Sequence, residues 1–189
     1  MTSLLKDYKD CSPDQSVQGV MREGSPINVE VRWIPPREGV VKVNWDVSRN
    51  QATKCWYVGV IIQNHGSQVM MGALCGKVIP LPRGVNPHRG ACIQALQFSL
   101  DMGFYDIVFE GPGVDFLKDL FSGGVEGTVE DMWVAEIRDL SQKFSSFCVS
   151  VSSTVLSNVA SLALAKLGFS FLLLKVWVED VPIEIQSAL

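Results

Sequence analysis

The spacing of apolar residues changes period part-way along this chain, and that change excludes most folds. Val41, Val43 and Trp45 alternate with Lys42, Asn44 and Asp46, the two-residue period of a strand with two unlike faces. Trp56–Ile62 and Gln68–Leu74 are two further strand-like runs, and Asn64 and Gly66 between them are turn residues, so the three strands form an antiparallel meander. From about Gly90 the period becomes helical: Cys92, Ala95, Leu96, Ser99 and Met102 share a face, and Gly103 stops the helix. Ile107-Val108-Phe109, ending at Glu110, is a fully apolar strand. A short helix is expected at 113–121, closed by Gly123-Gly124. Thr128 with Asp131 resembles a capping box, opening a helix with Met132, Trp133, Ile137 and Leu140 on its buried side. A strand at about 144–151 and a helix at about 155–168, stopped by Gly168, complete the order β-β-β-α-β-α-α-β-α. A meander followed by alternating strands and helices implies an α/β fold with one mixed sheet covered by helices.

Composition supports a folded domain. Of 189 residues, 47% are hydrophobic and 19% charged, enough apolar material for a core and too much for a disordered chain. Sixteen Lys+Arg against twenty Asp+Glu leave a net charge of −4, so any contact with a polyanion has to come from a local patch. The basic candidates are Lys42, Arg49, Lys54, Arg83 and Arg89. Five cysteines, at 11, 55, 75, 92 and 148, contain no C-x-x-C pair; the spacing fits neither a disulfide framework nor a zinc site and suits a reducing compartment. The N-terminus has no apolar signal region. Phe144 to Ala165 is 22 residues without a charge, but seven serines, Thr154 and Asn158 make it a strand and a buried helix rather than a membrane span. An intracellular protein, cytoplasmic or nuclear, is expected. Residues 1–28 read as a flexible leader, 29–175 as the domain, and 176–189 as a C-terminal segment packed on or extending from it.

Several motifs then carry a family likeness. Arg32-Trp33-x-x-Pro36-x-x-Gly39-x-x-Lys42-x-Asn44-x-Asp46 resembles the opening strand of plant ribonuclease H-like domains, the reverse-transcriptase-like type 1 family derived from non-LTR retroelements. Gly59-Val60-Ile61-Ile62-x-x-x-Gly66 resembles their second strand and turn, and Ala91 to Phe104 their first helix. Asn158, Ala165 and Gly168 sit at the spacing of their last helix, and Val176-Trp177-Val178-Glu179-x-x-Pro182 resembles their closing segment. The resemblance implies a mixed five-stranded sheet, three antiparallel strands followed by parallel ones, flanked by helices. It also implies hydrolysis of the RNA strand of an RNA–DNA hybrid, with carboxylates holding two Mg²⁺ ions roughly 3.5–4 Å apart.

Placed on this chain, the family's site is incomplete. Asp46 matches the first carboxylate and is a candidate metal ligand. His88 stands where the helix glutamate is expected; an imidazole is a poor Mg²⁺ ligand, and its default reading is a loop or helix-cap histidine. Its neighbours Pro87 and Gly90 suggest a helix that starts later than in relatives. Pro112 occupies the position of the third carboxylate and offers no side-chain ligand. Glu110, two residues earlier, is a candidate stand-in, displaced by about 6–7 Å along the strand. In the last helix Val155 replaces an arginine and Leu162 a histidine, which leaves the helix apolar nearly all round. The resemblance therefore implies a nucleic-acid-binding ribonuclease H-like domain that is inactive or impaired, a pseudoenzyme without a functional Mg²⁺ pair. The alternative is a retroelement-derived scaffold without nucleic-acid chemistry, which would meet a protein partner or a second copy through the apolar last helix or the Trp177 segment.

Overall fold

The computed structural model describes residues 9–10, 35–66, 70–80, 82, 84–112, 129–151 and 158–188. The strands are β1 (Lys9–Asp10), β2 (Val41–Arg49), β3 (Trp56–Gln63), β4 (Met70–Lys77), β5 (Asp106–Gly111), β6 (Ser146–Val151) and β7 (Lys175–Val178). The helices are α1 (Pro87–Asp101), α2 (Val129–Ser141) and α3 (Val159–Leu167), with short 3₁₀ turns at Gly168–Ser170 and Ile183–Ala188. The strands form one sheet in the order β1-β6-β5-β2-β3-β4-β7. β2, β3 and β4 make the expected antiparallel meander, and β5 and β6 add to it in parallel. This is the mixed five-stranded α/β core expected from the sequence. A strand is added at each edge: β1 from the segment read as a leader, parallel to β6, and β7 from the C-terminal segment, antiparallel to β4.

Alternation along β2 and β3 explains why helices cover both faces. Val43, Trp45, Val58 and Val60 point to one face, where they form a core with Leu96 of α1, Phe109 of β5, and Ile137 and Leu140 of α2. Ile61, Ala73 and Cys75 point to the other face, against Leu164 of α3 and the C-terminal Val181 and Ile185. Lys42, Asn44 and Asp46 lie on this second face, since in register Asn44 pairs with Ile61 and Asp46 with Gly59.

Element boundaries hold two corrections. Helix α1 does not start late: Asn86 is its N-cap, accepting a hydrogen bond from the His88 backbone N–H at 3.0 Å, and Pro87 takes the first helical position, where a missing N–H costs nothing. The helix ends as expected, with Gly103 at φ +80°. In α2, Ile137 and Leu140 are buried as read and Trp133 is half-buried, but Met132 is 74% exposed, because it shares a helical face with the exposed Ala135, Glu136 and Asp139. The helix expected at 113–121, the capping residue Thr128, Arg83, Val155, and Arg32 and Trp33 lie outside the described residues. The uncharged 144–165 stretch contains the strand β6 and the start of α3, and among the described residues no helix is long and apolar enough to cross a membrane. The cysteines also depart from expectation: Cys148 is disulfide-bonded, whereas Cys55, Cys75 and Cys92 are free, so their spacing does not argue for a reducing compartment.

Helix α3 approaches β3 closely enough to need glycine. A β-carbon on Gly59 would collide with the backbone carbonyl of Ser161 and the backbone nitrogen of Ala165. Neither neighbour is a flexible side-chain end, so the helix itself would have to move. Gly59→Ala is expected to destabilise the fold by at least about 2–3 kcal/mol in urea unfolding, and a change under about 0.5 kcal/mol would contradict this packing.

Candidate functional site

The face of β2 that carries Lys42, Asn44 and Asp46 divides into a closed part and an open part. Lys42, Asn44, Glu110 and Asn158 are all buried beneath α3. Parallel pairing of β2 with β5 sets Asn44 directly beside Glu110. The Lys42 ammonium lies 2.7 Å from Glu110 Oε2. Asn44 Nδ2 donates to Glu110 Oε1 at 3.3 Å and to Asn158 Oδ1 at 2.8 Å. Asn158 sits at the N-cap of α3, yet its side chain makes no capping bond; it is turned to the sheet and ties the start of the helix to β2. Ser161 Oγ donates to the Asn158 carbonyl at 3.0 Å, closing the turn above it. Buried charge in this network is matched by opposite charge and hydrogen bonds.

Asp46 lies one strand period beyond Asn44, outside that network, and is half-buried. Its Oδ1 accepts the Val47 backbone N–H at 2.7 Å. Burial pushes its carboxyl up to about 6, against the opposing effects of the Val47 hydrogen bond and the more distant Lys166 ammonium. A carboxylate held in a costly, half-open position, with no ion-pair partner among the described residues, fits a site better than a structural role.

The remaining family positions lie apart from Asp46 in chemistry as well as sequence. His88 Nδ1 is 2.7 Å from Asn86 Oδ1, within its own helix cap. Its ring sits between Trp45 and Trp56, with centroids 6.4 and 6.3 Å away, and burial lowers its pKa, favouring neutral imidazole. Trp45 stacks on Phe109 at 5.8 Å and covers Gly111, where a β-carbon would strike the indole ring. Pro112 follows directly, at the end of β5. Leu162 is half-buried on α3. Among the described residues no three His, Cys, Asp or Glu side chains are gathered where they could hold a metal ion. The donors described do not fit a magnesium pair: Asp46 is partly open, Glu110 is paired with a lysine, and His88 and Pro112 stand at the two other carboxylate positions.

The basic candidates separate in the same way. Lys42 is committed to Glu110. Arg49 is exposed and lies 6.0 Å from the Trp56 ring centroid, and Lys54 is exposed in the β2–β3 turn in a left-handed conformation at φ +59°. Sequence reading missed the Lys42–Glu110 pair and the Arg49–Trp56–His88 cluster; for the helix cap, the Asn86-Pro87 dipeptide was the available signal.

Two outcomes test this division. Lys42→Met or Glu110→Leu alone strands a buried partner and is expected to cost about 3–5 kcal/mol in chemical unfolding, whereas the double variant recovers most of that loss. Asp46 has the opposite sign. Its folded pKa lies above the ordinary carboxyl value, so its ionisation weakens the fold as pH rises from about 4 through 6. Asp46→Asn is therefore expected to stabilise the protein by about 1–2 kcal/mol at pH 7.5, discounted for partial exposure, with the gain vanishing near pH 4. A loss of stability at pH 7.5 would make Asp46 a structural acid.

No family model matches the sequence, and no curated protein matches it. Among solved structures, ribonuclease H1 from the halophilic archaeon Halobacterium salinarum NRC-1 is similar, with a TM-score of 0.57 and 19% identity over 69% of this chain and 98% of that one. The N-terminal RNase H domain of a Mycobacterium tuberculosis protein, solved as a fusion with maltose-binding protein, has a TM-score of 0.55 and 11% identity over 68% of this chain and 92% of that one. At such identities the likeness is one of architecture: the chain has a ribonuclease H-like fold.

Proposed function

We propose that this protein is a ribonuclease H-like domain that binds nucleic acid, with RNA–DNA hybrid as its substrate class, and that it has lost or nearly lost hydrolysis. The observation that carries this reading is the fate of Glu110. It is the described carboxylate nearest in sequence to the missing third ligand, and Lys42 and Asn44 already occupy its two oxygens. Recruiting it to a metal would break a buried ion pair, a change costing several kcal/mol. Asp46 alone supplies too little negative charge to hold two dications. The likeness of the motifs to plant, retroelement-derived domains supports a degenerate copy of a once active enzyme.

Binding has a separate basis. Arg49 and Lys54 are exposed near the β2–β3 turn, and Trp56 offers an aromatic face beside Arg49. Cation and ring together suit a phosphate backbone and its bases. A scaffold role without nucleic acid is the second reading, favoured by the exposed apolar residues of the C-terminal segment.

A labelled RNA–DNA hybrid incubated with the protein and Mg²⁺ or Mn²⁺ is expected to remain intact while binding in a salt-dependent manner. Arg49→Ala should weaken that binding and lower the slope of log affinity against log salt by about 1. Cleavage that Asp46→Asn abolishes would overturn the inactive assignment, and absence of binding at low salt would leave the scaffold reading.

A further inference from the structure

The sheet ends in β7, whose outer edge has no strand beside it among the described residues. Residues 172–176 and 178–180 are all exposed, with Leu172 at 95%, Val176 at 45% and Val178 at 60%. An edge strand with bare N–H and C=O groups and apolar side chains is a template for further pairing. Its apolar side chains continue an existing face: Val176 pairs with Leu74 and Val178 with Gly72, so both valines lie on the α1 side of the sheet.

From this we infer that β7 pairs antiparallel with β7 of a second copy, making a dimer through one continuous sheet. Two identical strands related in this way share a two-fold axis perpendicular to the sheet, which keeps like faces together and allows only registers that pair odd with odd and even with even positions. The register centred on Trp177 sets Val176 opposite Val178 and Lys175 opposite Glu179, each twice by symmetry. Lys175 and Glu179 are exposed and of opposite charge, so this register is complementary in both apolar and ionic pairs. Shifting it by two residues places Glu179 against Leu173 and removes the ion pairs. Glu179 adopts φ +56° just beyond the last strand residue, Val178, so the centred ladder pairs Val176–Val178 and the Lys175 and Glu179 charges flank it. So short a ladder is below the size of a stable interface by itself, and the exposed Leu172 and Leu173 that lead into it supply further apolar surface.

The experiment is light scattering after size exclusion on the full chain at about 1–100 µM. The wild type is expected to be a dimer in the upper part of that range. Lys175→Glu, which sets like charges opposite each other in both pairs, should raise the dissociation constant about tenfold or more, and adding Glu179→Lys should restore dimerisation. Far-UV circular dichroism checks that these surface variants stay folded. A monomer at every concentration overturns the proposal, and a dimer indifferent to Lys175→Glu overturns the β7 interface.

Discussion

The Lys42–Glu110 ion pair is the constraint on which both the architecture and the candidate site depend. Two charges beneath a helix are tolerable only when each is matched and the remaining hydrogen-bonding positions are filled. Lys42 pairs with Glu110, Asn44 donates to the carboxylate and to Asn158, and Asn158 is the N-cap residue of α3. One polar chain therefore joins β5, β2 and α3. Gly59 lets α3 lie directly on the neighbouring strand, so polar satisfaction and close backbone approach position the same helix.

The same network divides the acidic residues by role. Glu110 is paired with Lys42, which removes it as a free ligand. Asp46 is raised toward neutrality by burial and has one backbone donor. Had the two carboxylates been adjacent and open, their mutual repulsion would have invited a cation. Strand geometry separates them instead: Glu110 stands level with Asn44, and Asp46 lies two residues farther along β2. The strand that turns Asp46 toward α3 turns Trp45 the other way, toward His88, so the residue in the glutamate position is caught in aromatic packing on the opposite side of the sheet.

Much of this was legible in the sequence because it depends on short-range periodicity. Alternation at Val41, Val43 and Trp45 against Lys42, Asn44 and Asp46 placed β2 and its two faces, and the helical spacing from Cys92 to Met102 placed α1. The Asn86-Pro87 cap is equally local, but Gly90 together with Pro87 reads as a late helix start, although a residue without a side chain suits a buried helix position. What local patterns could not give was partnership. Asn44 and Glu110 lie 66 positions apart, and Asn44 and Asn158 lie 114 apart; their contact depends on parallel register and on where α3 lands. For that reason Lys42 read as a basic surface candidate, although its charge is spent inside the protein.

Hydropathy was also misleading about exposure. The last helix reads as greasy all round, but Ser161, Leu164 and Ala165 are buried against the sheet, and of its other apolar residues only Val159, at 37%, is exposed. The bare aliphatic surface comes after it, from Leu172 to Val178, where six of seven residues are apolar against seven of nine in the helix. The difference lies in available partners. Helix α3 satisfies its own backbone and needs only a surface to cover its side chains, which β2 and β3 provide. Strand β7 satisfies half of its backbone on β4 and presents the other half to whatever strand comes next. In this chain, then, the backbone at the sheet edge, rather than the hydropathy of a helix, determines where apolar surface is left to interact.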